Sequence, residues 1–223
     1  YNGMSSAGND NNRDGNADTT YASMQGTSMA SPCAAGDLAL ISQYYRDGWY
    51  PVLASSPVAA NGFVPSAALL KATMINGAED STGGSNANVA GHEYTLNGHT
   101  MDYPNTDQGW GMVNLENSLY FSGDAKEMWI DDNQAGLITG QYREYKFNAL
   151  AGEPLEITLV WTDYPGTTAT WGALVNDLDL TVIDPLGEDY LGNNYGATSR
   201  ESDPTDPAGY DPVSYTHLRA HET

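Results

Sequence analysis

The sequence predicts an α/β domain followed by an antiparallel β-sandwich or jelly roll, and two observations carry that prediction. Up to about residue 121, apolar residues recur at helical spacing between helix start and stop signals. From about residue 122 the period falls to two and turn residues separate the runs. The chain therefore divides into residues 1–121, residues 122–213 and a tail at 214–223.

The first helix opens within Gly26-Thr27-Ser28-Met29-Ala30-Ser31-Pro32-Cys33-Ala34-Ala35-Gly36. Pro32 is expected near its first turn, where a missing N–H costs least. Ala30, Ala34, Ala35, Gly36 and Ala39 make it thin, and Leu38, Ile41 and Tyr45 continue an apolar face until Asp47-Gly48 ends it. A buried central helix is expected, with Cys33 buried and inert on it. After a Pro/Gly-marked loop, a second helix starts near Pro65-Ser66, places Ala68, Leu69, Ala72 and Ile75 on its apolar side, and stops at Asn76-Gly77. Residues 79–107 are rich in Gly, Asn, Ser and Thr without a convincing period, and are expected to be a surface insertion. A last helix is expected from Leu115 to Tyr120.

In the second part, Tyr145 and Phe147 alternate with Glu144 and Lys146, and Leu155, Ile157, Leu159 and Trp161 with Glu156, Thr158 and Val160. Leu178, Leu180 and Val182 alternate with Asp177, Asp179 and Thr181. Half-buried antiparallel strands are the expectation. Asp184-Pro185-Leu186-Gly187 suits a type I turn that pairs the 178–183 strand with one near Tyr190 and Leu191.

Composition narrows the functions. A formal net charge of −21 repels phosphate backbones and anionic lipid surfaces, so neither nucleic acid nor membrane is expected as a partner. No stretch reaches the roughly 18 apolar residues of a membrane span. Cys33 is the single cysteine, which rules out an internal disulfide.

Ser28 carries the candidate chemistry. Gly26 lets backbone approach a substrate closely, and a helix opening at Ser28 offers unpartnered N–H groups to an oxyanion forming beside that hydroxyl. Taken alone, the same serine reads first as a helix cap, as most serines before an apolar run do. The whole run, however, resembles the serine box of the subtilisin-like serine proteases (subtilases), with Gly-Thr-Ser-Met-Ala-x-Pro matched at every specified position. Gln108-Gly109-Trp110-Gly111-Met112-Val113-Asn114 resembles the segment before the last helix of that family's catalytic domain. Leu159-Val160-Trp161-Thr162-Asp163 with Leu174-Val175-Asn176-Asp177-Leu178-Asp179-Leu180 resembles the accessory β-domain of the oxidation-resistant alkaline protease group.

The resemblance implies a secreted, extracellular serine endopeptidase acting on protein or peptide substrates, with Ser28 as nucleophile and Gly26 and Thr27 beside the substrate. It implies that the triad Asp and His, and an oxyanion-hole Asn, precede the serine. No His precedes Ser28, and His92 and His99 follow it, against the family order. The chain is therefore expected to be the carboxy-terminal part of a subtilisin-like catalytic domain followed by an incomplete β-sandwich, inactive by itself and monomeric.

Two calcium sites are expected as structural features. Asp10, Asn12, Asp14, Asn16 and Asp18, with Gly15, follow the ligand rhythm of an EF-hand-like loop, although position twelve is Tyr21 and not Glu; a solvated Asn/Asp/Gly loop fits the same residues. Asp177 and Asp179 share one strand face that Asp163 could join. The tail resembles a translated sequencing-adapter read-through, without strand logic of its own, and a metal-binding pair His217 and His221 is the alternative. The competing function is a calcium-stabilised extracellular binding or adhesion module without catalysis. The Gly-x-Ser-x-Gly elbow of α/β-hydrolases is absent around Ser28.

Overall fold

A computed structural model describes residues 4–7, 21–24, 26–51, 55–79, 94–96, 99–101, 109–149, 154–166, 174–194, 202, 204 and 215–221. The chain forms two compact units, Tyr1–Leu40 and Ile41–Thr223. One helix, α1 (Thr27–Asp47), runs through the division.

In the first unit, β1 (Met4–Ala7) pairs antiparallel with β2 (Tyr21–Met24), Met4 opposite Met24 and Ala7 opposite Tyr21. The opening half of α1 follows, and none of residues 26–40 is buried. This corrects the expectation of a buried central helix for that half, and Cys33 on it is exposed. Ala, Ser, Gly and Pro side chains offer little apolar area, so burying this half gains little from within the unit.

The second unit is organised around the closing half of α1, where Ile41, Tyr44 and Tyr45 are buried. The helix stops as predicted. Gly48 takes φ +81, its N–H donates to Tyr45 O, and Trp49 N–H donates to Tyr44 O, which together form a Schellman cap. Helix α2 (Ala67–Asn76) begins behind Ser66, whose hydroxyl accepts the Leu69 amide at 3.0 Å, and ends at Gly77. Its Leu69, Thr73 and Ile75 are buried.

Tyr45 joins the two helices. Thr73 Oγ1 donates to Leu69 O at 2.9 Å, so the 2.8 Å bond between the hydroxyls uses the proton of Tyr45. Phe63 N–H donates to Tyr45 O, and the Tyr45 ring packs against Tyr44, Tyr50 and Phe63 at centroid distances of 5.3, 6.3 and 5.3 Å. Tyr44 donates to Tyr120 O at 2.6 Å.

The segment after residue 121 is bonded onto these helices. Ile130 N–H donates to the Tyr50 hydroxyl, Ser66 N–H to Asp132 Oδ2 at 2.8 Å, and Asn76 Nδ2 to Glu156 O and Thr158 Oγ1. Helix α3 (Leu115–Ser118) is capped by Asn114, which accepts the Glu116 and Asn117 amides. It is two residues shorter than expected.

The strands form two-stranded ribbons. β3 (Tyr94–Leu96) pairs with β4 (His99–Met101) inside the stretch read as an aperiodic insertion. The Asn97-Gly98 dipeptide between them is the hairpin signal that reading overlooked. β5 (Pro154–Val160) falls where predicted. β6 (Thr181–Ile183) pairs with β7 (Asp189–Leu191), Thr181 opposite Leu191, across the predicted turn. Asp184 Oδ1 accepts the Leu186 and Glu188 amides there.

Among the described residues the ribbons β5–β8 and β6–β7 are separate two-stranded sheets that share no ladder. Two expectations for this half are corrected. Residues 142–148 join no ladder despite their alternation. The tail does have strand character: β8 (Tyr215–His221) pairs antiparallel with β5, Leu155 opposite Ala220, Ile157 opposite Leu218 and Glu156 opposite Arg219. In the middle of the ladder the residue types agree across the pair, apolar Leu155 and Ile157 with Ala220 and Leu218, polar Glu156 and Thr158 with Arg219 and His217.

Two outcomes test this core. Tyr45→Ala is expected to cost about 3–5 kcal/mol, as for other large buried rings, and Tyr45→Phe about 1 kcal/mol for the lost hydrogen bond, both read by denaturant unfolding. Burial pushes the Tyr45 phenol up from 10.0 to about 12. Folding therefore favours the neutral phenol, and its contribution is intact below about pH 10 and lost as pH rises through the folded value. Tyr45→Phe should flatten that alkaline loss of stability.

Candidate active site

Gly26, Thr27 and Ser28 form the mouth of α1. Gly26 holds φ +151, a conformation that side-chain-bearing residues rarely adopt, and its carbonyl accepts both the Met29 amide at 3.0 Å and the Ala30 amide at 3.1 Å. Those are the first bonds of the helix, so the N–H groups of Thr27 and Ser28 precede the intrahelical ladder. Both residues are exposed. An exposed hydroxyl at the positive end of a long helix is accessible to a carbonyl once a base is supplied, and the unused amides beside it can donate to an oxyanion.

Pro32 departs from expectation. With the helix starting at Thr27 it falls in the second turn, not the first. It carries no N–H, and the residue four before it is Ser28, so the Ser28 carbonyl receives no amide from position 32. The turn bearing the hydroxyl is thereby tied to the helix through the Gly26 carbonyl.

Among the described residues no side chain is hydrogen-bonded to Ser28. The side chains of His92, His99, His217 and His221 lie outside the described residues, as do Asp10, Asn12, Asp14, Asn16 and Asp18. The candidate loop ligands are thus placed only by topology, between β1 and β2.

Asp163, Asp177 and Asp179 do not come together as a cation site. Asp163 Oδ1 accepts Tyr164 N–H at 2.8 Å, Asn176 N–H at 3.0 Å and Asn176 Nδ2 at 2.8 Å, while Oδ2 accepts Val175 N–H at 2.8 Å. Trp161 Nε1 adds a 3.0 Å bond to Asn176 O. Both carboxylate oxygens thus serve the backbone of the 174–176 turn. Desolvation raises the Asp163 carboxyl, but these donors outweigh it and hold it below the usual carboxylate range. Asp179 is pushed up by partial burial first and by Asp177 second. Among the described residues no group of three or more His, Cys, Asp or Glu is disposed to hold a metal.

Reading the chain residue by residue did not identify the work of Asp163 and Asn114. Asn114, besides capping α3, donates to Glu79 Oε2 at 2.9 Å, and Glu79 exchanges both backbone hydrogen bonds with Met112. An Asn one residue before a helix is a cap signal, but its second partner is distant in sequence.

Residues 1–111 match the model of the subtilase family. Across 218 residues the chain is 32% identical to the serine protease/ABC transporter B family protein tagD of Dictyostelium discoideum, covering 83% of this chain and 12% of that protein. It is 32% identical over 175 residues to tagA of the same description and organism, covering 76% of this chain and 9% of the relative. It is also 30% identical over 214 residues to tagB, covering 78% and 11%. The chain thus spans about a tenth of the length of the curated relatives it matches.

Asp163→Ala is expected to strip hydrogen-exchange protection from the Val175 and Asn176 amides while leaving β5 protected, and unchanged protection would refute the clasp. Because the folded carboxyl is depressed, its contribution is present above the ordinary value of about 3.9 and is lost as pH falls through the lower folded value. The Val175 and Asn176 amide shifts, followed by NMR from neutral pH downwards, should move in that acid range and stay still in Asp163→Ala.

Proposed function

Residues 1–111 belong to the subtilase family, and from that premise we propose that the parent polypeptide is a secreted serine endopeptidase that cleaves peptide bonds through an acyl-enzyme on Ser28. The exposed Ser28 hydroxyl, beside amides that the helix does not use, is the observation that supports this reading. Ser28 Oγ attacks the peptide carbonyl carbon as a base removes its proton, and the Ser28 N–H stabilises the oxyanion. The C–N bond then breaks with the proton delivered to the leaving amine, and water hydrolyses the ester. Gly26 and Thr27 line the approach of the substrate backbone.

In the chain order implied by the family resemblance, the histidine base and its orienting aspartate precede the nucleophile, and no histidine precedes Ser28 in the 223 residues. The 223-residue chain by itself is therefore expected to be inactive. Residues 122–213 are assigned to the accessory β-domain of the oxidation-resistant alkaline protease type, on their Leu159–Asp163 and Leu174–Leu180 motifs. The donor set of Asp163, Asp177 and Asp179 does not suit calcium as it stands, and the reaction above routes no step through a metal. Among the described residues no helix is long and apolar enough to cross a membrane.

Fluorophosphonate labelling tests the assignment. The complete parent is expected to label at Ser28, as located by mass spectrometry, and its Ser28→Ala variant to stay unlabelled and lose peptidase activity. The 223-residue chain alone is expected to label at no more than the background rate of a surface serine. Labelling of the parent at some other serine would overturn the nucleophile assignment, and rapid labelling of the isolated chain at Ser28 would overturn its expected inactivity.

A further inference from the structure

Residues 142–148 have the side-chain order of a β-strand without a ladder. Each is exposed, and none makes a β-bridge. Two contacts show that the segment is extended with period two. Lys146 Nζ lies 3.5 Å from Glu144 Oε1, and the rings of Tyr145 and Phe147 lie 6.3 Å apart, each pair two residues apart in sequence.

The segment is also held in place. Asp131 Oδ2 accepts from both Arg143 Nη1 and the Tyr145 hydroxyl. Trp129 packs on Tyr145 at 4.7 Å and on Phe147 at 5.1 Å. These three rings remain 52, 42 and 45% exposed, and Tyr142 at the start of the segment is 81% exposed. A pinned, extended backbone with unused N–H and C=O groups beside an aromatic cluster meets the requirements for strand addition, in which main-chain bonds supply affinity and alternate side chains supply selectivity. Because the segment is already ordered, an arriving strand loses less to ordering.

Charge selects among occupants. The chain carries a net −21, so a second copy is repelled and a cationic segment is attracted over the range of a Debye length. Within the segment Arg143 and Lys146 are already engaged by Asp131 and Glu144. We propose that residues 142–148 are a docking strand for an extended cationic peptide with alternating apolar side chains, an interaction that does not depend on Ser28.

The test uses the full chain and an acetylated, amidated octapeptide of alternating lysine and valine, titrated by calorimetry at low ionic strength. Binding is expected, together with a change in tryptophan fluorescence. Methylating alternate peptide nitrogens should weaken binding by about tenfold or more if main-chain bonds carry it. A glutamate/valine octapeptide should fail to bind. Successive N–H groups of a strand point to opposite edges, so of Lys146→Pro and Phe147→Pro one should weaken binding much more than the other, with near-UV circular dichroism checking that each variant is folded. The proposal is overturned if the methylated peptide binds as well as the parent peptide, if the glutamate peptide binds equally, or if neither proline variant weakens binding. It is also overturned if sedimentation shows a dimer that either proline variant dissociates, since the occupant is then a second copy.

Discussion

The hydrogen bond from the buried Tyr45 hydroxyl to Thr73 is the constraint on which the packing of the closing half of α1 against α2 depends. Thr73 spends its proton on Leu69 O within its own helix, so its oxygen is left to accept from the Tyr45 hydroxyl, which would be costly to bury without that acceptor. The pair therefore forms only when the closing half of α1 and the middle of α2 are both in place. Once α2 is set by Thr73, Asp132 holds its first turn and Glu156 with Thr158 accept from its last residue. The chain beyond residue 121 thus grips both ends of the helix that the aromatic cluster supports. It braces α2, which it bonds at one end through Asp132 and at the other through β5.

Local signals in the sequence were sufficient wherever one residue type answers one backbone need. Gly48 ending α1, Ser66 opening α2 and the Asp184–Gly187 turn are of that kind, since each choice is dictated within four residues. The candidate nucleophile was legible for a different reason: a run of small residues around Gly26-Thr27-Ser28 is dense in information. The rest failed where the outcome depends on distant partners. Small residues in α1 suggested close approach by neighbours, yet none of residues 26–40 is buried. Tyr145 and Phe147 alternate as a strand should, but alternation describes faces and says nothing about whether a ladder partner exists. Pro32 was misplaced by one turn because helix starts shift by a residue or two, and here the shift changes which carbonyl loses its bond.

The Asp163 clasp explains why two short motifs some ten residues apart belong together. Trp161 and Asp163 from the first both bond to the turn in the second, so the separation in sequence is closed by four hydrogen bonds. Acidic residues in a strongly acidic chain invite a cation-binding interpretation. Here amide N–H groups, from the backbone and from the Asn176 side chain, stabilise the charged Asp163 carboxylate.

The convergence of the Met29 and Ala30 amides on one carbonyl has a mechanical meaning. With Pro32 withholding the bond to the Ser28 carbonyl, the peptide plane between Gly26 and Thr27 carries two of the bonds that close the turn around the hydroxyl. A rotation of that plane would release both amides at once. Gly26, free of a side chain, is the residue whose backbone can take that rotation at the least steric cost.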